Sequence, residues 1–171
     1  MEINIEGSKM KTISRKAIVL IFIMLAVFLS GCGQQSDSIK KPQPASDAVI
    51  YDLKGDISLK VSGDKAVVSG TTDLMDGCVV KISLVSASGE ELASEKKKIE
   101  SGEFSSEFVI PDDYKGRVFG FLSCTYSGNG SQPKEVKEAY GKKFVNLDGE
   151  NVIWNTSECM YVLQSNPVEI G

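Results

Sequence analysis

The stretch Lys115–Ser127 reads KGRVFGFLSCTYS, and its alternation decides the fold. Val118, Gly120, Leu122, Cys124 and Tyr126 fall on one face of an extended chain, Phe119 and Phe121 on the other. Successive side chains of a strand point to opposite sides, so a sustained period of two predicts β-structure. Apolar residues on both faces predict a strand covered on both sides over part of its length.

The same period runs upstream. Ile57, Leu59 and Val61 alternate with Ser58 and Lys60, and Gly63-Asp64 predicts a turn. Ala66, Val67 and Val68 open a second strand that reaches about Thr72. Asp76-Gly77 turns the chain into Cys78, Val80, Ile82 and Leu84, and Ser88-Gly89 turns it again. Leu92–Ile99 is a polar strand carrying Lys96, Lys97 and Lys98. Phe104, Ser106, Phe108 and Ile110 alternate until Pro111 stops them. Downstream, Pro133–Tyr140 predicts one short helix, with Val136 and Tyr140 four apart on one face and Gly141 as its stop. Phe144–Leu147, Val152–Trp154, Tyr161–Leu163 and Val168–Ile170 are weaker strand candidates, some of which complete the sheets.

Short strands separated by Gly, Asp and Pro predict an antiparallel sandwich or barrel. Val68-Ser69-Gly70-Thr71-Thr72-Asp73-Leu74-Met75-Asp76-Gly77 resembles the G-x-T-x-L-x-D-G turn of immunoglobulin-like and fibronectin-type-III-like domains in bacterial surface lipoproteins. Gly102-Glu103-Phe104 resembles their G-x-F strand opening. The resemblance implies a mainly β protein, with an antiparallel Ig-like β-sandwich of about seven strands and one short helix over residues 51–171. The chain departs from true immunoglobulin domains in that Trp154 follows Cys78 and Cys124 instead of lying between them.

The N-terminal third has a different character. Lys9, Lys11, Arg15 and Lys16 precede the apolar run Ala17–Leu29, which is 13 residues long. As a helix it would span about 20 Å, short of a bilayer core of about 30 Å, so it reads as the core of a signal peptide and not as a membrane span. It ends in Leu29-Ser30-Gly31-Cys32, which resembles the bacterial lipobox. That resemblance implies removal of residues 1–31 and a diacylglycerol on the Cys32 sulfur, which becomes the new N-terminus. Covalent lipid is the one prosthetic group expected. Met10 opens a leader typical of such proteins and is a candidate true start. Residues 32–50, with Pro42 and Pro44, then predict a flexible tether. The bilayer is thus the first expected partner, through acylated Cys32. The location that follows is the outer side of a cytoplasmic membrane, or an outer membrane if the cell has one.

Composition removes several function classes. The chain holds 19 basic and 23 acidic residues, and without residues 1–31 the balance becomes 15 against 21. Nucleic acid is a poor partner for so acidic a chain. There is no histidine, which excludes a Ser-His-Asp or Cys-His machine and a His-ligated zinc site. Without Cys32, the cysteines are Cys78, Cys124 and Cys159. Alternation places the first two inward as neighbouring buried thiols or a disulfide, and places Cys159 among polar residues with an exposed side chain. Asp73, Asp76, Asp112, Asp113, Asp148 and Glu150 sit at turns, where local hydrogen bonding explains Asp as well as calcium would. Lys96–Lys98 suit an edge strand guarded against aggregation, or contact with anionic polymer. Tyr140, Phe144, Trp154 and Tyr161 suit a core around the helix, or an aromatic platform. No catalytic, cofactor-binding or metal-binding residue is singled out, and Cys32 is the one functional residue. The function expected is display of a sandwich that binds or scaffolds an envelope protein or wall polymer, without catalysis. The alternatives are an inhibitor or chaperone-like module acting on a secreted enzyme, and a small carboxylate-dependent envelope hydrolase.

Overall fold

The computed structural model describes residues 40–171. Strands β2 (Gly55–Ser62), β3 (Lys65–Thr72) and β6 (Glu103–Val109) form one antiparallel sheet in the order β2-β3-β6. The second sheet orders β5 (Glu91–Lys98), β4 (Val79–Ser86), β7 (Gly116–Thr125), β10 (Cys159–Gln164) and β9 (Val152–Trp154), with β11 (Val168–Ile170) also on β7. The chain changes sheet between β3 and β4, again between β5 and β6, and again between β6 and β7. Those crossings are the Greek-key path of an immunoglobulin-like sandwich. A parallel pair, β1 (Tyr51–Asp52) with β8 (Leu147–Asp148), lies outside both sheets.

Seven framework positions are filled, in line with the about seven strands that the resemblance implies, and the seventh is split. β10 lies along Phe121–Thr125 of β7 and β11 along Gly116–Val118, on successive parts of the same strand. The break falls at Ser165-Asn166-Pro167, where Pro167 has no N–H to offer a ladder. Ser165 repairs it. Its N–H donates to the Gly120 carbonyl and its Oγ accepts from the Gly120 N–H, both at 2.9 Å.

The inward faces follow the period of two. Val80, Ile82 and Leu84 of β4, Val118, Leu122 and Cys124 of β7, and Ala66 and Val68 of β3 are fully buried between the sheets. Gly120 is one place where the sheets approach closely, since a Cβ there would lie 2.9 Å from the Val68 side chain. The outward face departs from the expectation. Phe119 and Phe121 have no covering layer among the described residues. They lie half-buried on the outside of the larger sheet, with ring centroids 6.4 Å apart.

Helix α1 (Lys134–Tyr140) begins one residue after the expected Pro133 and stops at Gly141, whose φ of 73° only glycine adopts freely. Val136 and Tyr140 are its buried face, as their spacing predicts. The strand expected over Phe144–Leu147 is instead a single 3-10 turn, Lys142–Phe144, followed by the two-residue β8. Lys143 and Phe144 both have left-handed φ, 61° and 58°, which breaks an extended run. Burial of the Phe144 ring against Tyr140 and Tyr126, at 5.4 and 5.5 Å between centroids, holds that turn.

Residues 40–50, read from the sequence as the end of the tether, run beside the domain. Lys41 Nζ donates to the Leu147 carbonyl at 2.7 Å, and Ala48 N–H closes a turn onto the Ala45 carbonyl. A groove of ≈ 430 Å³ separates this segment from Val145 and Asp148. No helix among the described residues is long and apolar enough to cross a membrane.

Candidate functional site

Cys32, where the lipobox resemblance implies a lipid, lies outside the described residues. The remaining three cysteines are free thiols, and all are buried. Cys78 and Cys124 lie on the inner side of neighbouring strands, as alternation predicts. Their thiols are neighbours in the core. Cys124 has its thiol pushed well above the ordinary range, by the adjacent Cys78 thiol and then by burial. Cys78 is held below it, chiefly by Cys124, with burial opposing. Tyr140 Oη stands beside Cys78 and accepts the Met75 N–H at 2.8 Å. Both sulfurs are fully buried in the core.

Cys159 corrects the sequence reading. It was expected to be exposed among Thr156, Ser157 and Glu158, but its side chain is fully buried. Position 159 opens β10 opposite Trp154, so its side chain points inward while its polar neighbours occupy the loop. Burial pushes its thiol up, and the nearby Lys41 ammonium opposes this.

The aromatic platform is a core. Tyr140, Phe144 and Tyr161 are fully buried, while Trp154 is half-buried beside them. Tyr161 carries its hydroxyl across the sandwich, donating to the Lys54 carbonyl at 2.9 Å and accepting from Thr72 Oγ1 at 3.2 Å. The turn acids do not assemble. No group of three or more His, Cys, Asp or Glu among the described residues has the geometry to hold a metal ion. Lys96–Lys98 lie on β5, an edge of the larger sheet, and Lys97 pairs with Glu95 at 2.9 Å and donates to the Ser105 carbonyl of β6. The two low-specificity motifs meet in space, since Thr72 N–H donates to the Gly102 carbonyl at 2.8 Å.

Two surfaces among the described residues are suited to making contacts. The first is the outer face of the larger sheet. Register places Val85 opposite Phe119, and Val162 and Met160 beside the β7 residues Ser123 and Thr125. Ile153, 50% exposed, stands opposite Met160 at the β9 end of the same face. The result is a partly apolar face built from the odd positions of β7 and the even positions of β10.

The second is a cleft of ≈ 530 Å³ beside α1, lined by Tyr126, Ser131, Lys134, Lys137 and Lys142 among others. Its floor is fixed by Gln132, only 3% exposed. Gln132 Oε1 accepts the Val79 N–H at 2.9 Å, and its Nε2 donates to the Val79 and Thr125 carbonyls at 2.7 and 2.9 Å. An amide side chain carries both donors and acceptors, so it can stand in for ladder bonds where β4 and β7 part. Asn129 assists by donating to the Ser123 carbonyl. Sequence reading missed both amides and the cleft. The only available signal was their place, on either side of Gly130 and just before the helix.

Comparison with protein-family models, with curated proteins and with solved structures finds no match to this chain. The class defined here is therefore that of the fold, a β-sandwich with one short helix.

Proposed function

We propose that this chain is a bacterial lipoprotein that displays an immunoglobulin-like sandwich on the outer side of a membrane, where it binds or scaffolds an envelope partner without chemistry of its own. The anchor reading is supported by the sequence Leu29-Ser30-Gly31-Cys32 after a charged and then apolar leader. Acyl chains on Cys32 would add about 0.8 kcal/mol per buried methylene, enough in pairs to hold the domain at the surface.

The observation that carries the binding reading is the outer face of the larger sheet. Phe119, Phe121, Met160, Val162 and Ile153 share that face, none of them fully buried. Large apolar side chains left in water on one sheet face cost solvation that a partner would recover. Aromatic residues in such a patch are also the side chains that contribute most to interfaces. The inward thiols and satisfied tyrosines have no comparable access to a ligand.

The test is cross-linking in cells of the tagged, lipidated protein, with mass spectrometry of what is captured. Cys32→Ser and Phe121→Ser forms serve as comparisons. A discrete partner present with the wild-type chain and lost with both variants is the expected result. Capture unchanged by both variants would refute the proposal.

A further inference from the structure

The cleft beside α1 has a chemistry of its own. Lys134, Lys137 and Lys142 line it, against the single carboxylate of Glu138. Glu138 is held by Lys134 at 3.5 Å, and Glu135 of the same helix does not line the cleft. A net positive cleft stands out on a chain whose formal charge is −4. Lys142 forms no hydrogen bond or ion pair among the described residues. Lys137 reaches only Ser131 Oγ at 3.4 Å and stands 5.5 Å from the centroid of the Tyr126 ring.

The aromatic wall is equally specific. Tyr126 and Phe144 pack perpendicular to one another, at 5.5 Å between centroids and 87°. Its hydroxyl has no hydrogen-bond partner among the described residues. Fully buried Phe144 holds the left-handed turn from which Lys142 projects.

We propose that this cleft binds the phosphodiester groups of a soluble polyol-phosphate chain. Lysine ammoniums act as point charges for phosphate oxygens, and several along one wall suit a repeating anion better than a single one. Lys137 Nζ lies over the Tyr126 ring, so the tyrosine contributes its hydroxyl, which can hydrogen-bond to polyol oxygens beside the lysine-held phosphates. A membrane surface is the less suited source of phosphate. Among the described residues the exposed large apolar ones are Val49, Ile50, Val109 and Ile153, and none of them lines the cleft to insert between lipids. The proposal rests on the envelope reading only for where such a polymer would be met, and the binding assay reads the cleft alone.

The probe is a fluorescein-labelled glycerol-phosphate oligomer, titrated with the full chain in neutral detergent and followed by anisotropy. Saturable binding that weakens as salt rises is expected. Lys137→Glu with Lys142→Glu should weaken it by at least about tenfold, whereas Lys60→Glu with Lys115→Glu, the same charge change elsewhere, should stay within about twofold. Tyr126→Leu should weaken binding with no change in its salt dependence, and thermal melts report whether each variant is folded. An unlabelled polyol without phosphate should not compete. Equal losses in the two charge-reversed pairs, or no saturable binding at low salt, would overturn the proposal. So would binding to phosphatidylglycerol vesicles with none to the oligomer, which would make the cleft a headgroup contact.

Discussion

Gln132 shows what a single side chain decides here. Three of its hydrogen bonds replace ladder bonds between Val79 and Thr125, so removing it strands buried backbone groups. Each unsatisfied group costs about 1–3 kcal/mol, and Gln132→Ala should lose roughly 2–4 kcal/mol in urea unfolding. A loss below about 0.5 kcal/mol would show that water takes over these bonds. Thiol chemistry supplies a second test at this scale. In a Cys32→Ser chain, Cys78, Cys124 and Cys159 should react with a maleimide only after denaturation, because all three are buried. Rapid labelling of the native chain would contradict that placement. Alternation made Cys78 and Cys124 legible as inward residues. Cys159 was misread because its loop is polar while its strand position faces the core. Gln132 carried no periodic signal, since its role depends on where two distant strands diverge.

The elements were mostly legible, because the central strands β3, β4, β6 and β7 bury one face more than the other. Lys96–Lys98 match the expectation of a guarded edge, and the guard reaches across to β6 through the Lys97 contact with Ser105. Replacing Lys96 and Lys98 by Val should raise aggregation on concentration, measured by light scattering. The β4–β5 hairpin adds a charge-dependent tie, Lys81 to Glu91 at 2.8 Å. Its carboxyl is held below the usual range by hydrogen bonds from Lys81 and Ser94. A lowered carboxylate stabilises the fold above its unfolded pKa of about 4.3, and that contribution fades as pH falls through the lowered value. The pair is exposed, so Lys81→Ala should cost at most about 1 kcal/mol at neutral pH. The difference from wild type should vanish in acid. Segment 40–50 was read as tether because its Pro, Ser and Gln have no periodicity. It runs beside the domain through one lysine and one carbonyl, contacts that composition cannot signal. Lys41→Ala should raise amide exchange at Ala48 while leaving the exchange of β4 and β7 unchanged.

For the molecule as a whole, the sandwich supplies a rigid frame, and the lipid reading supplies its location. The sequence separates these two parts sharply. A leader and lipobox are short local patterns, readable from adjacent residues. The outer sheet face arises from register between strands far apart in the chain, so no local window displays it. The α1 cleft is lined by residues 126–142 alone, but its floor depends on Gln132 reaching Val79, which adjacent residues do not signal. Display on a membrane requires that the anchor exist, and every proposed role in the envelope depends on Cys32. The direct measurement is the intact mass of the protein purified from the membranes of its own cells, with sequencing of its N-terminal peptide. The account predicts a chain that begins at Cys32 and carries diacylglycerol on that sulfur, and a Cys32→Ser form that lacks it. A chain that retains residues before Cys32, or bears an unmodified Cys32, would contradict it.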